Sequence, residues 1–345
     1  MSLASTLVRF SLLLLLATGT LGCFRLGYLA QAALGQDDIA YRMRPIHEVL
    51  ADSSVPERTR KMLAVVERAK KFGQDHGLNP TSSYEAYADL KRSAVVWVVS
   101  ACQPLRFEVQ TWTFPIVGSV PYLGWFERRD AERHAARLRR AGLDVNVRPA
   151  RAYSTLGWFD DPVLSTMIRG GKEALADLVD VVLHESVHST LYIGSQSRFN
   201  ESLASFVARE LTRDFLRSQI GLKVAAAYLQ DQADVDRRRA RMHEIYKQLD
   251  QLYRSSQSDA AKRKKKAQWL AALRAELGFQ REINNATLAQ SRTYHAGAVP
   301  FARLLARCGN IKTMMAALKR VGPDSFGSPQ QLDLDPVLAR VCRSR

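Results

Sequence analysis

His184-Glu185-Ser186-Val187-His188, followed by Asn200-Glu201, is the stretch that decides the reading of this chain. On a helix, residues four apart lie about 40° apart around the axis, so His184 and His188 can present two imidazoles to one ion. Glu185 is one residue round, close to that face but displaced from it. The offset suits a carboxylate that takes a proton from the attacking water instead of binding the metal. Glu201 supplies a third candidate ligand. Two His and one Glu leave a position open, which is the arrangement of a catalytic zinc site; a closed structural site takes four protein ligands.

The flanking residues support a helix. Val179, Val182, Leu183 and Val187 recur at helical spacing ahead of and through the motif, and form a stripe that would anchor it in a core. A second helix is expected to open at Asn200 as N-cap, with Glu201 in its first turn. Ala204, Ser205 and Ala208 would let this helix approach the first closely. Glu210 is the rival acid, but nine residues at about 100° each turn it to the opposite side from Glu201.

With these residues laid out, the chain resembles a bacterial family of predicted aminopeptidases, zinc-dependent gluzincins that are often envelope lipoproteins. The resemblance also rests on Tyr28-Leu29-Ala30-Gln31-Ala32, Arg44-Pro45-Ile46, Ser83-Tyr84, Trp112-Thr113-Phe114-Pro115-Ile116-Val117-Gly118, Tyr153 to Pro162, Asn284-Asn285-Ala286 and Tyr294. It implies a zincin-like core and zinc-dependent removal of N-terminal residues from peptides. The chain departs from the family at Ser186, Val187 and Ser189, none of them ligand positions. Many thermolysin-like gluzincins also carry an acid four residues after the ligand Glu, where it orients a ligating His. Here that position is Ser205, so the support must come from elsewhere, such as a backbone carbonyl.

Residues 1–22 have the form of an export signal: Arg9, the apolar run Phe10 to Ala17, and a small-residue exit at Gly22-Cys23. Cys23 is the expected lipidated residue, which would tether a periplasm-facing protein to the bacterial envelope. Phe24 in place of Asp slightly favours the outer membrane. The remaining cysteines, Cys102, Cys308 and Cys342, allow at most one bridge and one free thiol. Fifty basic against thirty-four acidic residues give a formal charge of +16. The densest basic run, Lys262-Arg263-Lys264-Lys265-Lys266, has no interleaved aromatics and no reader motif. An anionic envelope surface therefore suits it better than nucleic acid, and a solvated helix turn that binds nothing is the alternative reading.

The expected fold is α+β and predominantly helical, with a small β-sheet before the metal helix and a long helical hairpin over 213–282 inserted in a domain of 23–345 and projecting from its core. Val95 to Val99 reads as a buried strand and Leu143 to Val147 as a half-buried one. Gly118-Ser119 reads as a turn between extended segments. Leu143–Arg148 or Thr111–Val117 could hold extended substrate by backbone pairing at a sheet edge. Asp160 and Asp161 could orient ligands, bind a substrate amine, or cap a helix beginning after Pro162. Tyr294 is the candidate hydroxyl donor to the oxyanion. The competing reading is a non-catalytic, metal-stabilised envelope lipoprotein that binds partners through its hairpin. An intact Glu185 argues against it.

Overall fold

The computed structural model describes residues 23–114, 118–153, 160–168, 170–171, 173–293 and 298–342. The leader over 1–22, the stretch 154–159 and Tyr294 lie outside these residues. The chain divides into two units, 1–41 and 42–345. The first is described by one helix, α1 (Cys23–Tyr41). No helix among the described residues is long and apolar enough to cross a membrane.

The second unit is mostly helical with three small sheets. It opens with β1 (Met43–Pro45), α2 (Ile46–Ala51) and α3 (Glu57–Asp75), then β2 (Ala86–Ala88) and β3 (Val96–Cys102). Next come β4 (Trp112–Phe114), β5 (Gly118–Val120), β6 (Leu123–Trp125), α4 (Arg128–Arg140), β7 (Asp144–Ala150) and β8 (Val163–Leu164). The Val-rich run forms β3, the middle strand of the order β6-β3-β7, and it is buried along nearly its whole length. β7 pairs antiparallel to it, with Val99 opposite Val147.

Two local expectations are corrected. Gly118 and Ser119 are not a turn. They pair in β5 with Phe114 and Thr113 of β4, and the Thr113 and Ser119 hydroxyls lie 2.8 Å apart. No helix follows Pro162 either: β8 runs parallel to β2, with Tyr87 opposite Val163. Asp160 and Asp161 are held instead by the segment before β2. The Ser82 hydroxyl donates to the Asp160 carboxylate, the Asp161 amide donates to the Ser83 hydroxyl at 3.1 Å, and the Tyr84 amide donates to the Asp161 carbonyl at 2.6 Å.

The helical core follows. α5 (Ala174–Thr190) carries the motif and lies against both α3 and α6 (Ser197–Phe215). After a π-helical turn at Leu216–Ile220 the chain breaks at Gly221, whose φ of +143° disfavours any side chain. Then come α7 (Leu222–Arg254), α8 (Asp259–Leu277), α9 (Asn285–Thr293), α10 (Ala298–Cys308), α11 (Ile311–Leu318) and α12 (Asp335–Leu338). The main core joins α3, α5, α6, α10, α11 and α12, with Phe199, Phe215 and Phe301 fully buried. A disulfide joins Cys308 to Cys342, and Cys102 is a buried free thiol.

The helices α7 and α8 turn back on each other at Ser255 to Ser258, where the Ser258 hydroxyl caps α8 by accepting from the Ala261 amide. The pair does not project freely as expected. Met242, Ile245, Tyr246, Leu249 and Tyr253 make a second apolar stripe at helical spacing and pack with Leu270, Leu273 and Phe107. Lys266, inside the basic run, pairs with Asp144 of β7 and donates to the Pro104 carbonyl. Asn285, fully buried, ties the same region together by donating to the Gln103 carbonyl and accepting from the Tyr253 hydroxyl.

Candidate metal centre

The apolar stripe fixes α5. Val179, Val182, Leu183 and Val187 are all 1% exposed or less, so the helix cannot roll without exposing them. That orientation brings the Nε2 atoms of His184 and His188 to 3.2 Å from each other. His188 is 6% exposed, and the two rings meet edge to face.

Glu201 comes from α6, but not as the first turn of a helix capped by Asn200. The helix begins at Ser197. Asn200 is buried inside it and clamps the preceding loop: its Oδ1 accepts from the Ile193 amide at 2.9 Å, and its Nδ2 donates to the Ile193 carbonyl at 2.8 Å. The Asn thus holds the link between the two helices, and Glu201 beside it is held in place. Glu201 Oε2 lies 3.5 Å from His184 Nε2, and Oε1 lies 3.8 Å from His188 Nε2. Glu210 is elsewhere on the helix, paired with Arg213 at 2.7 Å.

These three side chains could hold a metal ion, their donor atoms all lying within 4.8 Å of one another. Ligands bonded at about 2.0–2.2 Å in a tetrahedron sit roughly 3.3–3.6 Å apart. The two imidazole nitrogens, 3.2 Å apart, lie close to that figure, and the Glu201 carboxylate approaches both, with Oε2 3.5 Å from His184 and Oε1 3.8 Å from His188. Two imidazole nitrogens and one carboxylate are also a donor set suited to zinc.

Charge and burial divide the two histidines. Burial works to lower the pKa of His184, but the Glu201 hydrogen bond and the charges of Glu185, Glu201 and Asp180 outweigh it and push the value up to about 9. Burial, reinforced by His184, lowers His188 to about 4. Burial would raise Glu201, yet the His184 hydrogen bond and the His188 and His184 charges, with Arg148 of β7, hold it below its ordinary value. Glu185 is half-buried one residue round from His184, as the helical offset requires.

Several residues around the centre had no role in the sequence reading. Tyr84 is buried with a φ of +67°, held by the Asp161 contact. Its hydroxyl is pushed well above its ordinary pKa by burial and by the charges of Glu185 and Asp161, so it lies in the field of the motif acid. Tyr192, four residues past His188 and partly exposed, sets its ring 6.0 Å from the His188 ring. Asp180, one turn before His184, accepts from the Tyr228 hydroxyl of α7 at 2.6 Å. Tyr84 carried a signal only through the family resemblance, and Asp180 only through the helical step of four before His184; Tyr192 lies past the end of α5 at Thr190 and carried none. Tyr294 cannot be placed, since it lies outside the described residues. The expected substrate edge at Leu143–Arg148 is partly taken: the Val145 and Val147 carbonyls accept from Asn284 and Arg281, each at 3.0 Å.

A family model described as putative aminopeptidase matches residues 27–325, and the chain belongs to that family. No curated protein and no solved structure matches it.

Proposed function

We propose that this member of the putative aminopeptidase family is a zinc metallopeptidase with a zincin-like core. His184, His188 and Glu201 would hold the ion, and Glu185 would serve as general base. The observation that carries the reading is the convergence of two imidazole nitrogens and a carboxylate within 4.8 Å of one another, with a second acid, Glu185, displaced by one helical residue. Bound zinc would polarise the scissile carbonyl and acidify water at neutral pH. The chain's own residues supply the rest. Glu185 takes a proton from the water as its oxygen attacks the peptide carbonyl, then passes that proton to the leaving nitrogen. The C–N bond breaks, giving a carboxylate and an amine. Tyr294 is the proposed donor to the developing oxyanion. A purely structural metal site would have no use for Glu185, which favours the enzyme over the partner-binding lipoprotein.

The aminopeptidase assignment rests on family membership. Parallel hydrolysis of one peptide series with free and with acetylated N-termini tests it. Cleavage of the free series alone supports an exopeptidase. Equal cleavage of both would make the chain an endopeptidase.

We also propose that the protein works at the bacterial cell envelope, facing the periplasm from, by slight preference, the outer membrane. Residues 1–22 would be removed as a signal and Cys23 lipidated. The Cys308–Cys342 bridge supports an oxidising compartment. Within the basic run, Lys266 pairs with Asp144 and Lys262 donates to the Tyr253 carbonyl, leaving Arg263, Lys264 and Lys265 exposed for an anionic envelope surface. Cys23→Ser should abolish labelling by a fatty-acid probe. Retained labelling would refute the anchor.

A further inference from the structure

The centre has an unassigned carboxylate behind it. Asp180 lies four residues before His184 on α5, on the same face of the helix. Helical side chains lean toward the N-terminus, so the His184 imidazole leans over the turn that carries Asp180. His184 has already committed its Nε2 to the centre, at 3.2 Å from His188 and 3.5 Å from Glu201. Nδ1 is the ring nitrogen left for support.

Asp180 is itself fixed from outside the motif. The Tyr228 hydroxyl of α7 donates to its Oδ1 at 2.6 Å, and Tyr228 is buried at 3% exposure. The helix that carries Tyr228 is pinned a little further along by the Arg209–Asp236 ion pair, 2.7 Å across α6 and α7. On α6 the residue four after Glu201 is Ser205, so that turn supplies no carboxylate.

We propose that Asp180 is the positioning residue for His184, and that Tyr228 sets its orientation. The α7 helix would then be part of the metal centre's support. A carboxylate behind a ligating imidazole fixes the tautomer and ring plane and makes the metal-facing nitrogen a better donor.

This inference rests on the metal reading above, and metal binding separates the two. Zinc affinity is measured by chelator competition on the full mature protein, its Asp180→Asn and Tyr228→Phe variants, and the double variant. Visible spectra of the cobalt-loaded forms and metal-free melting curves are taken alongside. Asp180→Asn should weaken zinc about tenfold to a hundredfold and shift the cobalt bands while the metal-free protein still melts cooperatively. Tyr228→Phe should weaken zinc less, and the double variant should lose less than the two single losses combined, because both act through one imidazole. Unchanged affinity and an unchanged cobalt spectrum in Asp180→Asn, with the parent binding zinc, would overturn the inference and leave the metal reading standing. A parent that binds no zinc would overturn both. If Asp180→Asn does not fold, Tyr228→Phe decides alone, since it removes one hydroxyl: weaker zinc supports the inference and equal zinc overturns it.

Discussion

The metal motif was legible because its chemistry is a spacing. Two imidazoles one turn apart can meet one ion only on a helix, and α5 places their nitrogens 3.2 Å apart. Glu201 was legible too, though for a partly mistaken reason. Asn200 matches a local preference for helix starts, whereas its amide is used across the link to Ile193, a contact no local rule describes. Glu201→Ala should weaken zinc binding by at least about tenfold, because it removes one ligand of three. Glu210→Ala should leave binding unchanged, since Glu210 faces Arg213. Chelator competition on both variants checks this, and a loss at Glu210 alone would reverse the assignment. A second residue-scale outcome concerns His134, buried between Trp125 and Trp112, with ring separations of 5.3 and 5.8 Å. Burial, then the charge of Arg137, lowers it to about 4 from 6.5. Between those values the unfolded chain takes up a proton that the folded chain refuses. Its contribution to stability is complete above pH 6.5 and is lost as pH falls toward 4. Melting temperatures across that window should drop more steeply for the parent than for His134→Phe; parallel curves would remove His134 from the account.

Among the elements, the strongly periodic ones were readable and the packing role of Gly73 was not. The alternating run at Leu143 to Val147 became β7, and the Val run became β3. α3 runs through Gly73 to Asp75 and stops just before Gly77, whose φ is +99°. Gly73 serves packing instead: a Cβ there would come within 3.0 Å of Leu183 on the motif helix and of Leu78. Sequence alone cannot distinguish a glycine that ends a helix from one that lets a neighbour close in. Gly73→Val should therefore cost about 1–3 kcal/mol by overpacking the contact between α3 and α5. Urea unfolding measures it, and a variant as stable as the parent would show that this contact is loose.

At the scale of the whole molecule, composition announced a helical pair over 213–282 but not where it goes. Sparse apolar residues on long charged helices read as a projecting arm, and only tertiary contacts show that Tyr246 packs against Phe107 and Lys266 reaches Asp144. The cysteine count allowed one bridge without choosing its partners, because connectivity depends on the fold. The Cys308–Cys342 bridge closes a separation of 34 residues at the edge of the main core. Cys308→Ser should lower unfolding free energy by about 2–4 kcal/mol. Cys102→Ser, at an unbridged position, should leave the response to reductant as it is in the parent. Equal stability of the Cys308→Ser variant and the oxidised parent would mean the bridge does not form. The central claim is that Glu185 acts on water without binding the metal. The most direct test measures zinc content and peptide hydrolysis together for the purified mature parent and Glu185→Gln. The account predicts about one zinc per chain in both proteins, with hydrolysis in the parent and a loss of at least about a hundredfold in the variant. A Gln variant that keeps its zinc and cleaves peptides as fast as the parent would contradict it.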